Sequence, residues 1–296
     1  MKPLNFLRDA IDSINKNVLP GCRFKYPSTA EEIKNRLEEA TRAEKFILPN
    51  EGRILDDEMK ALPDELKLPF PAVVLEYTCV TDSIGLPEQL HGKEKTTSAP
   101  KRIVIAMQEK DFITVFSVVF YEYENGERSW GFMPFKAIIM NEVKREPGSE
   151  APKVSFGILP LTDDGMTYRL LGDGWEVNAR VDIMDECRAV LEVVEALSCS
   201  NVGFSDHFSS AKPNLKQKKG KIPFDSYRVL TVQTSNSDSS KEPIKGTSHD
   251  GHASPREHVR RGHIRRYASG LKIWINNTIV NPGSGGKIMK TYSIVK

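Results

Sequence analysis

Apolar residues recur at helical spacing in three stretches of the chain. Residues 4–15 place an apolar side chain at every third or fourth position, and residues 29–46 do the same after the opening Thr29-Ala30-Glu31-Glu32. A threonine followed three residues later by a glutamate resembles a capping box, which predicts a helix beginning there. Residues 180–198 have the clearest amphipathic pattern and predict a further helix. The carboxylates along it are expected on its solvated surface: Asp185, Glu186, Glu192 and Glu195.

Runs of β-branched and aromatic residues fill the middle of the chain and predict strands. They lie at residues 72–78, 102–107, 112–123 and 130–135, and the segments 154–161 and 175–177 are expected to extend the same sheet. Asn125-Gly126 is a hairpin turn signal. Strands joined by short turns, with helices beside them, predict an α+β fold with a mainly antiparallel sheet and flanking helices.

The composition changes near residue 234. Residues 234–254 are rich in Ser, Asn, Asp and Lys, which is typical of a polar linker. Beyond it, residues 256–267, 271–280 and 288–295 predict three strands of a small C-terminal β-meander. The predicted domains are therefore an acidic α+β body over 1–233, a Ser-rich linker over 234–254 and a basic β-meander over 255–296. About forty residues bury little core alone, so the meander is expected to pack on the body or on a partner.

Charge is distributed unevenly in this chain of 296 residues, although its formal net charge is only +2. Residues 212–296 hold 17 basic and 5 acidic side chains, a net charge of +12. Residues 1–211 hold the other 25 basic and 35 acidic side chains, a net charge of −10. An acidic front and a basic back are expected when one end binds a polyanion. The same asymmetry also fits attraction within the molecule or between the subunits of a homo-oligomer.

The four cysteines are scattered along the chain, and no pair has the C-x-x-C spacing of a zinc ribbon or a thioredoxin-type site. They are interpreted as buried thiols in a reducing compartment. No stretch reaches 18 consecutive apolar residues, and the first residues lack the apolar core of a signal peptide. The sequence therefore predicts a soluble, intracellular protein that has no membrane partner and no cofactor.

The most distinctive segment is cationic and lies close to aromatic residues. Residues 256–266 hold five arginines and two histidines, and Tyr267 and Trp274 follow them. Arginine binds phosphate in a bidentate manner, and aromatic rings stack on bases. A solvated edge strand protected by charge is the structural alternative. The nucleic-acid-binding candidates are Arg256, Arg260, Arg261, Arg265, Arg266, Tyr267, Lys272 and Trp274, together with Lys216, Lys218 and Lys219 from a second basic cluster.

Two histidines in the same segment are weak candidates for catalysis. His258 and His263 could act as acid and base in a metal-independent ribonuclease, with arginines stabilising the transition state. Residues five apart lie on opposite faces of a regular strand, so this mechanism needs a bulge at Gly262. A metal site is not predicted, because no cysteine lies nearby and the arginines would repel a dication.

The C-terminal third resembles a widespread group of uncharacterised phage and prophage proteins. The resemblance covers about residues 60–80 and 190–296 and rests on the segments Leu197–Val202, Lys219-Gly220-Lys221, Pro255–Arg266, Trp274-Ile275-Asn276 and Lys290-Thr291-Tyr292. It implies a mobile-element protein that acts in the cytoplasm of a bacterial host. Such accessory proteins often bind nucleic acid or block a host defence complex. The leading hypothesis is nucleic-acid binding, with a host-defence inhibitor and a ribonuclease as alternatives.

Overall fold

The computed structural model describes residues 4–55, 65–79, 96–141, 154–207, 227–232, 258–260, 263–275 and 278–280. Within these residues the chain forms five α-helices and twelve β-strands, which confirms the predicted α+β class. Residue contacts divide the chain into two units. The main unit is Met1–Leu197 with Phe204–Leu230, and the C-terminal unit is Ser198–Gly203 with Thr231–Lys296. The short segment after the longest helix therefore belongs to the C-terminal unit.

The three long helices of the main unit follow the predicted apolar periodicity, whereas its two short helices were not predicted. The five helices are α1 (Phe6–Asn17), α2 (Leu19–Lys25), α3 (Pro27–Arg42), α4 (Met166–Leu171) and α5 (Trp175–Leu197). Helix α1 buries one stripe of side chains, Phe6, Leu7, Ala10, Ile11 and Ile14, whereas α5 is buried on all sides over residues 189–196. The prediction of a strand over 175–177 is wrong. Trp175 is instead the first buried residue of a stripe that α5 continues with Ala179 and Ile183.

The predicted capping box at Thr29 is also wrong in its detail. Helix α3 begins at Pro27, so Thr29 lies in its first turn and not before it. Its N–H and its hydroxyl both donate to Asp164, at 2.8 Å each, and its hydroxyl lies 2.6 Å from that of Thr162. A carboxylate distant in sequence therefore binds the N-terminal turn of this helix.

Eight strands form one sheet in the order β6-β5-β4-β3-β2-β1-β8-β7. Their bounds are β1 (Glu44–Ile47), β2 (Ala72–Thr78), β3 (Thr96–Gln108), β4 (Phe112–Tyr123), β5 (Arg128–Asn141), β6 (Val154–Pro160), β7 (Val202–His207) and β8 (Tyr227–Val232). Neighbours from β2 to β6 pair antiparallel, whereas β1 is parallel to β2 and β8. Gly126, at φ 83°, makes the predicted turn between β4 and β5.

The central strands of the sheet are buried on both faces. On one face, α5 packs on side chains such as Leu75, Val104 and Val115. On the other, α1, α2 and α3 pack on Val74, Ile105 and neighbouring residues. Because both faces are covered, the central strands are apolar at nearly every position and not at alternate ones. The four carboxylates that were expected on a solvated helix surface lie on α5, where Glu186, Glu192 and Glu195 are buried and Asp185 is exposed.

The C-terminal unit contains four short strands in two two-stranded sheets: β9 (His258–Arg260), β10 (His263–Arg266), β11 (Lys272–Ile275) and β12 (Thr278–Val280). β10 pairs antiparallel with β11, and β9 with β12. Arg260 lies three residues before His263, and Thr278 lies three residues after Ile275, so the two strand pairs have the same register. The predicted linker 234–254 and the third predicted strand, 288–295, lie outside the described residues.

Candidate nucleic-acid interface

A three-residue loop closes the hairpin between Tyr267 and Leu271. The Gly270 N–H donates to the Tyr267 carbonyl and the Tyr267 N–H donates to the Leu271 carbonyl, each at 2.9 Å. Gly270 has φ +82°, a conformation that suits glycine, and it follows a turn begun by Ala268-Ser269. The loop therefore lies at the turn predicted from the sequence, and it fixes which side chains share a face.

The pairing register sorts the described hairpin residues into two faces. We call one of them the exposed face, because none of its side chains is buried and those next to the loop are exposed. Tyr267 is 42% exposed and Leu271, across the loop from it, is 45% exposed. Its members are His263, Arg265 and Tyr267 along one strand and Leu271, Ile273 and Ile275 along the other.

Arg265 and Tyr267 form the polar centre of the exposed face. The Arg265 Nη1 donates to the Tyr267 hydroxyl over 3.4 Å, and both side chains are exposed. Among the described residues, no carboxylate forms an ion pair with Arg265. The remaining guanidinium N–H groups are therefore directed to solvent, where a phosphate could accept from them. The structure brings together these two of the predicted binding residues.

The opposite face carries Ile264, Arg266, Lys272 and Trp274. Arg266 is exposed, but Lys272 is only 4% exposed and Trp274 is half-buried. A buried ammonium offers little surface to a phosphate, so Lys272 does not belong to the surface proposed below. Because alternate residues of a strand face opposite ways, Trp274 lies on the face opposite Tyr267, and the two rings cannot stack on one ligand at the exposed face.

Ser200 and Asn201 bind the outer edge of β11. The Ser200 N–H donates to the Lys272 carbonyl at 2.9 Å. The Asn201 side chain accepts from the Trp274 N–H and donates to the Trp274 carbonyl, each at 2.8 Å. One carboxamide thus supplies the donor and the acceptor that a neighbouring strand would supply. The sequence contains no local signal for this contact, because Asn201 and Trp274 are 73 residues apart.

Several predicted site residues cannot be placed in this way. Arg260 and His258 belong to β9, of which only the backbone is described. The other basic candidates lie outside the described residues: Arg256, Arg261, Lys216, Lys218 and Lys219.

The histidine pair stays a prediction. His263 lies on the exposed face, whereas β9, which contains His258, is described by its backbone alone. Gly262, where the acid–base mechanism needs its bulge, lies outside the described residues.

A buried ionic cluster in the main unit corrects the prediction that the α5 carboxylates are solvated. Glu186 is 1% exposed, and its Oε1 accepts a hydrogen bond from the Ser117 hydroxyl at 2.9 Å. The Arg102 Nε lies 3.8 Å from the same oxygen. Among the described residues, three buried oxygens have no hydrogen-bond partner: Tyr77 Oη, Asp182 Oδ2 and Glu186 Oε2.

Burial dominates the titration of this cluster. It raises the pKa of Asp182 to about 6, and the charge of Glu186 acts in the same direction while Arg102 opposes both. Burial also raises the pKa of Glu186, against the charge of Arg102 and the Ser117 hydrogen bond. The helical pattern contained a signal for this burial. Glu186 lies three residues after Ile183 and four before Val190, on the apolar stripe of α5.

Two further buried carboxylates bind backbone N–H groups. Glu192, on α5, accepts from the Ile54 N–H at 2.6 Å and the Leu55 N–H at 2.9 Å. Glu76, on β2, accepts from the first two N–H groups of α1 at 3.1 and 2.9 Å, and from the Tyr227 hydroxyl at 3.0 Å. Both bind the chain to a neighbouring element, which is a structural role.

Within the part of the chain that the structure describes, no group of three or more His, Cys, Asp and Glu side chains could hold a metal ion. None of the described helices is both long enough and apolar enough to cross a membrane. Comparison of the chain with protein-family models, with curated proteins and with solved structures found no match.

Proposed function

We propose that the protein binds nucleic acid through the exposed face of its C-terminal hairpin. The observation that carries this proposal is the exposed pair Arg265 and Tyr267, joined by a hydrogen bond of 3.4 Å and located beside the loop. The pair places a phosphate donor next to an aromatic ring, and these are the two groups that contact the backbone and the base of a nucleotide.

The charge distribution supports the same proposal. The residues from 212 onward carry a net charge of +12, whereas the rest of the chain carries −10. A polyanion is therefore attracted to the basic residues from 212 onward and repelled from the acidic residues 1–211. The resemblance to phage and prophage proteins supports a site of action in the cytoplasm of a bacterial host.

The test is binding of labelled RNA and DNA at two salt concentrations, about 50 and about 200 mM, because binding through phosphates weakens steeply between them. Arg260, Arg261, Arg265 and Arg266 are replaced together by Ala, and Arg265 and Arg266, which lie on opposite faces, are also replaced singly. We expect loss of affinity, with the salt slope reduced by roughly one for each phosphate contact removed. If the unmodified protein has no affinity for either nucleic acid, the proposal is wrong.

A matched control removes the same charge from exposed positions of the main unit, namely Arg23, Lys25, Lys110 and Arg169. This variant should keep the affinity of the unmodified protein, because these residues lie outside the hairpin. A loss equal to that of the arginine variant would mean that only net charge matters. Cleavage of the labelled RNA without added metal, lost on replacing His258 or His263, would select the ribonuclease alternative.

A second proposal is a protein partner, such as a host anti-phage defence complex that this chain would inhibit. It is favoured by an exposed apolar stripe on α5, where Val177 and Val181 are each 71% exposed and Met184 is 36% exposed. These residues lie four and three apart, so they share one side of the helix. Contiguous apolar surface of this kind is typical of protein interaction sites.

A further inference from the structure

The exposed face of the hairpin combines two rows of side chains with different chemistry. One row, along β10, is His263, Arg265 and Tyr267, and the other, along β11, is Leu271, Ile273 and Ile275. Half of the face is therefore aliphatic. Tyr267 and Leu271, which flank the loop, are 42% and 45% exposed, so the apolar surface is accessible at the end of the hairpin.

Resting on the proposed function, we infer that the exposed face binds single-stranded nucleic acid in preference to a duplex. In a single strand the flat faces of the bases are accessible, and they stack on aromatic and apolar side chains. In a duplex those faces are covered by neighbouring base pairs. Tyr267 and Leu271 can therefore bury their exposed apolar surface against a base only when the ligand is unpaired.

The Arg265–Tyr267 pair fits such a ligand. The hydrogen bond between them, 3.4 Å from Nη1 to Oη, keeps the guanidinium beside the ring hydroxyl. A phosphate bound by Arg265 would thus hold its nucleotide next to the ring of Tyr267. The phosphate contributes affinity that depends on salt, and the stacked base contributes affinity that depends little on it.

Duplex DNA is the rival ligand, because a two-stranded β-ribbon can enter the major groove. A ribbon in the groove reads base edges with hydrogen-bond donors and acceptors. Leu271, Ile273 and Ile275 have neither, and at base edges they could contact only thymine methyl groups. The aliphatic row therefore favours base faces as its ligand surface, and base faces are exposed in single strands.

The experiment measures the fluorescence anisotropy of labelled oligothymidylate and oligouridylate, each of about twelve nucleotides, and of a mixed-sequence duplex of the same length. We expect both single strands to bind at least about tenfold more tightly than the duplex at about 200 mM salt, where the phosphate contribution is weak.

Two substitutions at one position separate the ring from its hydroxyl. Tyr267→Ala should weaken single-strand binding at least about fivefold and leave duplex binding unchanged. Tyr267→Phe keeps the ring and loses only the hydrogen bond to Arg265, so it should weaken single-strand binding by less than about twofold. Tyr168→Ala is the matched control, since Tyr168 is 54% exposed on α4 of the main unit. It should have no effect on either ligand.

The outcomes separate this inference from the proposed function. Equal or tighter binding of the duplex, lost on Arg265→Ala, would leave nucleic-acid binding correct and overturn the preference for single strands. Equal losses in Tyr267→Ala and Tyr267→Phe would show that the hydroxyl and not the ring makes the contact, and would also overturn the inference. Absence of binding to all three ligands at about 50 mM salt would refute the proposed function itself.

Discussion

At the scale of single residues, the main unit is distinguished by charged groups inside its core. Glu186 and Asp182 lie one helical turn apart on α5, and the Arg102 guanidinium lies 3.8 Å from Glu186. One arginine thus faces two carboxyl groups, two of whose oxygens are buried without a hydrogen-bond partner. Arg102 can neutralise only one of the two carboxylates, so the cluster favours a folded state in which one carboxyl group stays protonated.

This arrangement predicts a pH dependence of stability. The pKa of Asp182 is raised from 3.8 to about 6 in the folded protein, so between these values the folded state binds more protons than the unfolded state. The free energy of unfolding contributed by this group therefore falls as the pH rises from about 4 to about 6. Asp182→Asn removes this loss. At pH 7 its free energy of unfolding, measured by urea denaturation, should exceed that of the unmodified protein by about 1–2 kcal/mol.

The comparison variant is Asp185→Asn, an exposed carboxylate on the same helix. It removes the same charge outside the cluster, and its stability should follow that of the unmodified protein between pH 4 and pH 7. If Asp182→Asn and Asp185→Asn have the same pH profile, the buried cluster does not retain a proton.

At the scale of elements, the edge of β11 is bound by a loop and not by a strand. The Asn201 carboxamide makes both hydrogen bonds to the Trp274 backbone, at 2.8 Å, and the Ser200 N–H donates to Lys272. Residues 198–203, which supply both binding groups, belong to the same unit as the hairpin.

Asn201→Ala should loosen the hairpin. It removes a donor and an acceptor from the Trp274 backbone, and each hydrogen bond of this kind contributes about 1 kcal/mol. The amide of Trp274 should exchange its hydrogen at least about tenfold faster, a change that corresponds to about 1.4 kcal/mol. Single-strand affinity should fall with it. Hydrogen exchange followed by mass spectrometry on the peptide that contains β11 measures the first effect.

Asn178→Ala provides the control for that experiment, because Asn178 is a half-exposed residue of α5 in the main unit. Asn201→Asp is informative in a different way. It keeps the acceptor for the Trp274 N–H but replaces the donor by a second acceptor that faces the Trp274 carbonyl. Protection equal to that of the unmodified protein in both Asn201 variants would show that the carboxamide does not hold the edge.

At the scale of the whole molecule, local patterns predicted the elements better than their partners. The run 112–123 became β4 with the predicted bounds, because its side chains suit a strand buried on both faces. The burial of Glu186 was missed, although it lies on an apolar stripe, because its partners Ser117 and Arg102 come from β4 and β3. The contact between Asn201 and Trp274 was missed for the same reason. Periodicity reports which face of an element is apolar, but it does not report which distant polar group neutralises a buried one.

Each of the two units presents one candidate surface, and substitution can tell which of them carries the function. Val177 and Val181 are each 71% exposed on α5, so replacing both by Ser should change the melting temperature little and leave nucleic-acid affinity unchanged. Ile183→Ser, at a position 1% exposed on the same helix, should destabilise the main unit by about 2–4 kcal/mol and shows that the assay detects core damage.

If the double valine variant abolishes function in host cells while nucleic-acid affinity is intact, the protein-partner proposal is favoured over the nucleic-acid proposal. A molar mass in solution that falls from dimer to monomer in the same variant would identify that partner as a second copy of the chain. Full function in the valine variant, with loss of function in the hairpin arginine variant, would contradict the protein-partner proposal.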